Sequence, residues 1–390
     1  MAPTTNTIGA NAERARSHNR QMVLERVRQA GLIGRAEIAR GSGLSTQAVS
    51  NIISDLLADG LIAEKGRKAT NRGQPPVQYG LNPCGGYAVG IEIRTDAVLS
   101  AVVDLSGQTS ASARYPLGPQ TLEGVTAAVV SAKDAIIAEA DVAIEKVLGA
   151  GIVMPGPFGP TGLSGTESEL SVFEDIWPET WFSDALDLPV VVENDANAAA
   201  VAERLTGIAT ELETFAFLYF GTGLGLGIIQ NGRLVPGAFG NAGEIGHIPI
   251  QAGSGHVPLE ELLSRMSAQR HLAQHGLAID TVQALADAYD QGAAPLAEWL
   301  ENARRPFSTA ITIVENILDP EAVIIGGAMP DTILDHLISQ ADLPERSVSN
   351  RPSRAVPRVL RGTSGRLTGT LGAASLAINS AFTPRIAAGL

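Results

Sequence analysis

Residues 214–235 read TFAFLYFGTGLGLGIIQNGRLV. Two β-rich runs flank a turn made of glycines, the outline of paired strands with a tight connection. The same outline stands at 87–108, YAVGIEIRTDAVLSAVVDLSGQ. Behind the first copy lie a helical pattern over 121–143, a buried strand in GAGIVMPGP, and a strand running into a helix in LPVVVENDANAAAVAERLTG. Behind the second lie helical patterns over 259–305 and 307–318 and another buried strand, PEAVIIGGAMP, that ends at two glycines. The copies share little identity but one pattern, which predicts an internal duplication: two α/β lobes with a ligand cleft between them.

A chain of 390 residues is long enough for two or three domains, each with its own core. Its 45% hydrophobic and 18% charged residues fit a soluble globular protein, and every apolar run stops short of the roughly 18 residues that a membrane span needs. The opening MAPTTNTIGANAERARSHNRQ has no apolar core for a secretory signal, so the expected location is the cytoplasm, with no membrane partner. Cys84, alone of its type, can form neither an internal disulfide nor a cysteine-rich metal cluster. A net charge of −13 argues by itself against a nucleic-acid partner, but its distribution argues the reverse. Residues 1–80 hold 11 Lys/Arg against 6 Asp/Glu, and residues 81–390 hold 17 against 35, so a basic head that suits a polyanion precedes an acidic body.

Residues 1–16 are polar, without periodic apolar positions, and are expected to form a disordered arm. From Asn19 the pattern turns helical, with Val23, Leu24 and Val27 on one face and Gly31 as the stop. In RAEIARGSGLSTQAVSNIISDLLADGLI, Ile38 and Ala39 lie on a short helix, Gly41 to Gly43 form the break, and Ser45 caps a second helix. Val49, Ile52, Ile53, Leu56 and Leu57 give that second helix its apolar face. LIAEKGRKATNRGQPPVQYGLN then reads as strand, basic turn and strand, so residues 17–82 have the outline of a winged helix-turn-helix. Thr46, Gln47, Ser50 and Asn51 point away from the apolar stripe, where such a motif meets base edges in the major groove. Lys65, Arg67, Lys68 and Arg72 suit phosphates, and Arg72-Gly73 suits a minor groove. Each of these residues alone reads equally well as solvated surface. Helix pair, wing and charge asymmetry together point to a double-stranded DNA operator, bound on paired half-sites by a homo-oligomer, a dimer or tetramer.

With VENDANAAAVAE (192–203), FGTGLGLGI (220–228), GNAGEIGH (240–247) and DPEAVIIGGAMP (319–330) in this order, the chain resembles the ROK family of repressors, open reading frames and kinases. The resemblance runs from Asn19 to about Ala381 and is to the family's regulators, which place a winged helix ahead of a sugar-kinase-like body. It implies the two-lobed actin-like ATPase fold (ribonuclease H-like, α/β), with residues 86–199 plus 371–390 as the first lobe and 200–370 as the second. In the family's kinases the aspartate of the Asn-Asp pair takes the proton of the attacking sugar hydroxyl. That position is Asp195, beside Asn194, and the same carboxylate suits recognition of a sugar by hydrogen bonds. Glu244, His247 and Glu260 match the family's other sugar contacts; the lesser, bland reading makes His247 a core histidine and Glu260 merely the opening of a helix. GPTGLSGTESELSVFEDIW (159–177) falls at the family's sugar-tuning loop, and its Trp177, with Trp181, is expected in the core rather than as a stacking platform.

Two stretches depart from the kinase pattern. Kinases carry Asp-x-Gly-Gly-Thr at the first phosphate loop; here Glu92-Ile93-Arg94-Thr95-Asp96 offers no glycine backbone to a phosphate. A carboxylate such as that of Asp96 at about 4 Å from phosphate costs several kcal/mol at an effective dielectric near ~20. Zinc-bearing members place three cysteines after the histidine, whereas this chain has only His247 and His256 there. No metal and no cofactor are therefore expected, and the loop must be shaped by Pro249, Pro258 and local hydrogen bonds. The second phosphate loop, Gly221-Thr222-Gly223-Leu224-Gly225, is intact, and Gly326-Gly327 fits the adenosine contact. Both also fit plain turns and are read as vestigial nucleotide-binding elements. The resulting expectation is a sugar-responsive transcription regulator, a repressor, whose body is a degenerate sugar kinase. Two alternatives stay open: an active ATP-dependent sugar kinase with a DNA-binding head and Asp195 as catalytic base, and a DNA-binding regulator with a non-sugar effector.

Overall fold

The computed structural model of the protein describes residues 7–67, 76–94, 97–158, 171–173, 176–363 and 368–382. Three helices open it: α1 (Thr7–Ala30), α2 (Arg35–Ser42) and α3 (Thr46–Ala58). Val23, Leu24, Val27, Ile38, Val49, Ile53 and Leu56 pack into their shared core. An antiparallel sheet of order β1-β3-β2 completes the unit, from β1 (Ile33–Gly34), β2 (Ile62–Arg67) and β3 (Val77–Leu81). Ser45 caps α3 by accepting the Ala48 N–H at 3.2 Å, as its position predicts. Two expectations need correction. The helix begins at Thr7, so the segment read as a disordered arm to residue 16 is helical from there; its alanines, glutamate and arginines are strong helix formers even without an apolar stripe. Gly41 lies inside α2, where Arg26 donates to its carbonyl at 2.7 Å, and the break falls on Gly43 with φ +70°.

Two five-stranded sheets form the body. The first has order β6-β5-β4-β7-β8, from β4 (Tyr87–Ile93), β5 (Ala97–Asp104), β6 (Thr109–Pro116), β7 (Val147–Val153) and β8 (Val190–Glu193). Helices α4 (Leu122–Glu139) and α5 (Pro178–Leu186) cover one face, and α6 (Asp195–Thr206) follows β8. The second sheet has order β11-β10-β9-β14-β15, from β9 (Phe215–Phe220), β10 (Leu224–Gln230), β11 (Arg233–Leu234), β14 (Ala322–Gly327) and β15 (Val359–Arg361). Between β11 and β14 come the hairpin β12 (Pro249–Ala252) and β13 (Gly255–Pro258), then α7 (Arg265–Gln274), α8 (Val282–Asp290) and α9 (Ala294–Leu318). Helix α10 (Asp331–Ser339) follows β14, and α11 (Thr368–Phe382) comes last. In both sheets the antiparallel opening pair leads to two parallel strands, so the duplication read from residues 87–108 and 214–235 is present strand for strand.

Helices α6 and α11 fill the space between the sheets, α6 against β9 and β10 and α11 against β4 and β7. Small residues are prominent in their shared core, among them Ala196, Ala198, Ala199, Ala200, Ala202 and Ala373. The backbones approach so closely that a Cβ on Gly90 would overlap the Thr370 carbonyl, one on Gly151 that of Ala373, and one on Gly372 that of Ala198. A lobe boundary at 199/200 therefore cuts through one helix, and α6 belongs to both halves. The helical patterns read as 259–305 and 307–318 join across Pro306, because α9 runs through it for 25 residues. Trp299, Leu300 and Ala303 before the proline and Phe307, Ala310 and Ile311 after it pack into one core, which outweighs the missing backbone hydrogen bond. The unit of α1 to α3 shares its core with Ala88 and Val103 of the first sheet, with Leu105 just after β5, and with Ala374, Ala377, Ile378 and Phe382 of α11. Among the described residues, no helix is long and apolar enough to cross a membrane.

Gly151→Ala is expected to lower stability by about 2–4 kcal/mol, read as a fall in the urea midpoint, because overpacking against a backbone carbonyl leaves nothing flexible to yield. Gly255→Ala, whose Cβ would meet nothing within 4 Å, serves as the comparison and should change it by less than about 0.5 kcal/mol.

Candidate functional site

The cleft is built where β8 passes into α6 and where the glycine turns of the second sheet face that junction. Asn194 is the N-cap of α6, its Oδ1 accepting the Asn197 N–H at 2.7 Å, so its side-chain amide N–H remains for a ligand. Asp195 opens the helix and accepts the Ala196 N–H at 2.8 Å; the helix N-terminus favours its negative charge. Across from it, Gly243 (φ +95°) presses the GNAGEIGH turn onto β10: its carbonyl accepts the Leu226 N–H at 2.9 Å, and a Cβ there would overlap the Leu226 carbonyl. That register sets Glu244 and His247 facing the cleft.

Hairpin β12–β13 returns the chain to the same place. Pro249 stands opposite Pro258 and Ala252 opposite Gly255, and the Leu259 N–H bonds the Ile248 carbonyl at 3.0 Å. Local hydrogen bonds thus shape the loop that lacks cysteines, and His256 is exposed on it. Glu260 follows in a short 3-10 turn, its Oε2 accepting the Leu224 N–H at 3.4 Å. The His247 ring lies between two carboxylates, Nε2 at 3.6 Å from Glu244 and Nδ1 at 3.8 Å from Glu260. Both distances exceed a hydrogen bond, and all three side chains are partly exposed to the cleft.

Glycines make room for these carboxylates. A Cβ on Gly223 would overlap Glu260, one on Gly246 would lie 2.8 Å from the same carboxylate, one on Gly221 3.3 Å from Asp195, and one on Gly156 3.2 Å from Glu244. The glycines read as the second phosphate loop therefore have a local reason to be glycine, as do Gly326, backed by the Phe217 ring, and Gly327, with φ +113° beside the Phe220 backbone. Thr222 sits in the β9–β10 turn, which the Gly221 N–H closes on the Gly223 carbonyl at 3.1 Å.

Electrostatics follow from burial. Burial pushes the Glu244 carboxyl above the usual range, Glu260 adds to this, and His247 opposes it. Tyr219, buried under the cleft beside Asp195, Glu92, Arg94 and Arg265, is pushed well above the usual phenol range by burial first and by the two carboxylates next. It stays a neutral hydroxyl. In the first loop the buried Glu92 is held from both sides: Arg94 donates to one oxygen at 2.6 Å and Thr370 of α11 to the other at 2.9 Å. A guanidinium thus occupies the carboxylate that a magnesium phosphate site would use. Thr95 and Asp96 lie outside the described residues.

Sequence reasoning passed over Asn241. Its Oδ1 accepts the Phe158 N–H at 2.8 Å and its Nδ2 donates to the Phe158 carbonyl at 2.9 Å, tying the loop after β7 to the turn that carries Glu244. Its signal was an asparagine inside a glycine turn, where the side chain imitates a backbone partner. The tryptophans differ from expectation: Trp177 is 84% exposed and Trp181 lies at the surface with its Nε1 on Thr126 at 2.9 Å. Helix α5 buries Phe182 and Leu186, four apart, and both tryptophans stand off that stripe. Most of the 159–177 loop lies outside the described residues.

On α3, Thr46, Gln47 and Asn51 are exposed and Ser50 half-buried, with the Gln47 amide donating to Asn51 at 3.1 Å one turn on. Lys65 and Arg67 are exposed at the end of β2; Lys68 and Arg72 lie outside the described residues.

The chain is 24% identical over 352 residues to the DNA-binding transcriptional dual regulator NagC of Escherichia coli K12, covering 85% of each. A crystallographic ROK family transcriptional regulator, a homolog of the E. coli MLC protein, matches 95% of this chain and 98% of its own with TM-score 0.74 at 22% identity. A ROK family glucokinase from Streptomyces griseus, solved with glucose and AMPPNP, matches 75% of this chain and 99% of its own with TM-score 0.60 at 24% identity. The pattern described as the ROK family spans residues 88–380, both lobes and the helix pair between them, and the chain belongs to that family.

Proposed function

We propose that the protein is a sugar-responsive transcription regulator, acting as a repressor, whose kinase-like body binds a sugar without phosphorylating it. One observation carries the reading: Glu244, His247 and Glu260 converge beside Asp195, while Glu92, at the first phosphate stretch, is paired with Arg94. Two carboxylates and an imidazole around a cleft suit a ring of hydroxyls, which donate to one and accept from the other. A nucleotide needs the opposite provision, glycine backbone and free metal-binding carboxylates. The relative NagC bears the name of a transcriptional regulator, and the match covers 85% of this chain. In the head, α1 to α3 with the β2–β3 pair serve as the winged helix-turn-helix. Thr46, Gln47, Ser50 and Asn51 meet base edges, and Lys65 and Arg67, with Lys68 and Arg72, meet phosphates. A homodimer presents two heads to paired half-sites. Sugar acts by binding one closure of the lobes better than the other, and that difference biases the heads through α11.

Binding of hexoses and amino sugars is measured by thermal shift and calorimetry, and at least one of them should stabilise the protein. Glu244→Gln should weaken it about 10- to 100-fold, the worth of a charge-assisted hydrogen bond. A chain stabilised by none of these sugars would favour a non-sugar effector. Affinity also depends on pH. A hydroxyl donates to the ionised Glu244, whose pKa is raised in the free protein, so affinity is retained above that pKa and falls as pH drops through it, by at most about tenfold per unit. Glu244→Gln should flatten that fall; an unchanged profile would assign the titration elsewhere.

With DNA from upstream of its own gene, alanine at Lys65 and Arg67 should weaken binding uniformly across sequences and reduce the salt slope by about 1 for each phosphate no longer neutralised. Asn51→Ala should instead relax sequence preference. Incubation with ATP, magnesium and the same sugars should give no sugar phosphate; turnover abolished by Asp195→Asn would replace the sensor with a kinase.

A further inference from the structure

Away from the cleft, α7 and α9 carry a cluster that neither ligand nor DNA recognition uses. His271 lies in the last turn of α7 and His275 is its C-cap residue; their rings stand 4.6 Å apart, and Glu298 of α9 faces them. Nε2 of His271 lies 3.9 Å and Nε2 of His275 3.8 Å from the same Glu298 carboxylate oxygen, and the three groups offer ligand atoms all within 4.8 Å of one another. Nδ1 of His275 is 2.9 Å from the His271 carbonyl. A carbonyl only accepts, so this nitrogen carries the proton and Nε2 of the neutral ring turns a lone pair toward Glu298. Nε2 of His271 is shut off from solvent and has no hydrogen-bond partner. A buried polar atom without a partner calls for an explanation.

We propose that His271, His275 and Glu298 form a binding site for a divalent transition metal of the zinc class, with water completing the shell. Two imidazoles and a carboxylate are the donors that zinc, cobalt and nickel take, whereas calcium and magnesium prefer oxygen alone. Ligand atoms about 2.0–2.2 Å from a tetrahedral ion are roughly 3.3–3.6 Å apart, so the two histidine–Glu298 distances need to contract by only a few tenths of an ångström around zinc, and the imidazole nitrogens, within 4.8 Å of each other, close in by rotation of the exposed His275 ring. Glu298 and His275 are exposed enough to supply it. The helices that hold these groups are already locked together: Leu272 and Trp299 share one core, and the Trp299 indole donates to Ser267 at 3.1 Å. The ion therefore meets a largely prepared site, and it gives the orphaned His271 nitrogen a bond. Once bound, it pins α7 to α9; α7 follows directly on the turn that carries Glu260.

The test is titration of the full-length, chelator-treated protein with Zn2+ by calorimetry and with Co2+ by visible absorption, alongside Mg2+. One Zn2+ per chain, the ligand-field bands of cobalt bound to nitrogen and oxygen, a raised Tm with Zn2+ and no competition from Mg2+ are expected. His275→Ala and the conservative Glu298→Gln should each weaken Zn2+ at least tenfold, while Cys84→Ser and His256→Ala leave it unchanged. Absence of Zn2+ binding, or binding that survives His275→Ala, or binding abolished in Cys84→Ser, would overturn the site.

Discussion

The contact on which the rest of the molecule depends is the close approach of α6 and α11 between the two sheets. Larger side chains at Gly90, Gly151 or Gly372 would collide with backbone carbonyls, so the separation is set by main chain rather than by adjustable side chains. Interiors of this kind deform little and shift as units. One end of α6 holds Asn194 and Asp195 in the cleft. The first turn of α11 supplies Thr370 to Glu92, and its last turns supply Ile378 and Phe382 to the core of α1 to α3. A single packed column thus runs from the cleft to the head.

The glycines of the cleft acquire a different meaning beside the carboxylates. In a phosphate loop the missing side chain admits an anion to the backbone. Here Gly223 and Gly246 admit the carboxylate of Glu260. A carboxylate so close to the turn opposes a phosphate there, while a neutral sugar escapes that repulsion. The Arg94–Glu92 pair acts in the same direction: removing Arg94 would leave a buried carboxylate unneutralised, so the pair is costly to undo. Retained glycine motifs are therefore weak evidence of nucleotide chemistry when neighbouring acidic groups fill the space they leave.

Sequence alone carried the strand architecture because each opening pair alternates or saturates with β-formers and each turn is marked by glycine. It also carried Glu244, His247 and Glu260 into one neighbourhood, although the hairpin that brings Glu260 back is held by backbone bonds no motif encodes. What it missed shares a cause. The early start of α1 rests on propensity without a stripe, the passage of α9 through Pro306 on packing from both sides, and the exposure of Trp177 on the direction of a short helix. The cap role of Asn194 and the clasp of Asn241 on Phe158 are hydrogen bonds between a side chain and a backbone distant or local in sequence, which composition does not register. The His271–His275 spacing was visible as letters, but its third partner lies 23 residues beyond His275 and becomes a neighbour only when α9 packs on α7.

Shared packing also bears on how a body built in this way governs a head. A head on a free linker would feel nothing of the cleft. Here a swing of α1 to α3 away from the body would expose Ala88, Val103, Leu105 and the α11 residues beneath them, apolar surface that resists exposure at about 25 cal/mol per Å². The head therefore follows α11, and α11 follows α6 and the sheets. A tenfold change in DNA affinity requires a difference of only about 1.4 kcal/mol between two arrangements. One charge-assisted hydrogen bond made in one closure and not in the other supplies that amount. A ligand that pairs Glu244, from the turn on β10, with Asn194 and Asp195, at the start of α6, bridges elements whose separation depends on closure. Its recognition of the closed form would bias the same column on which the head rests.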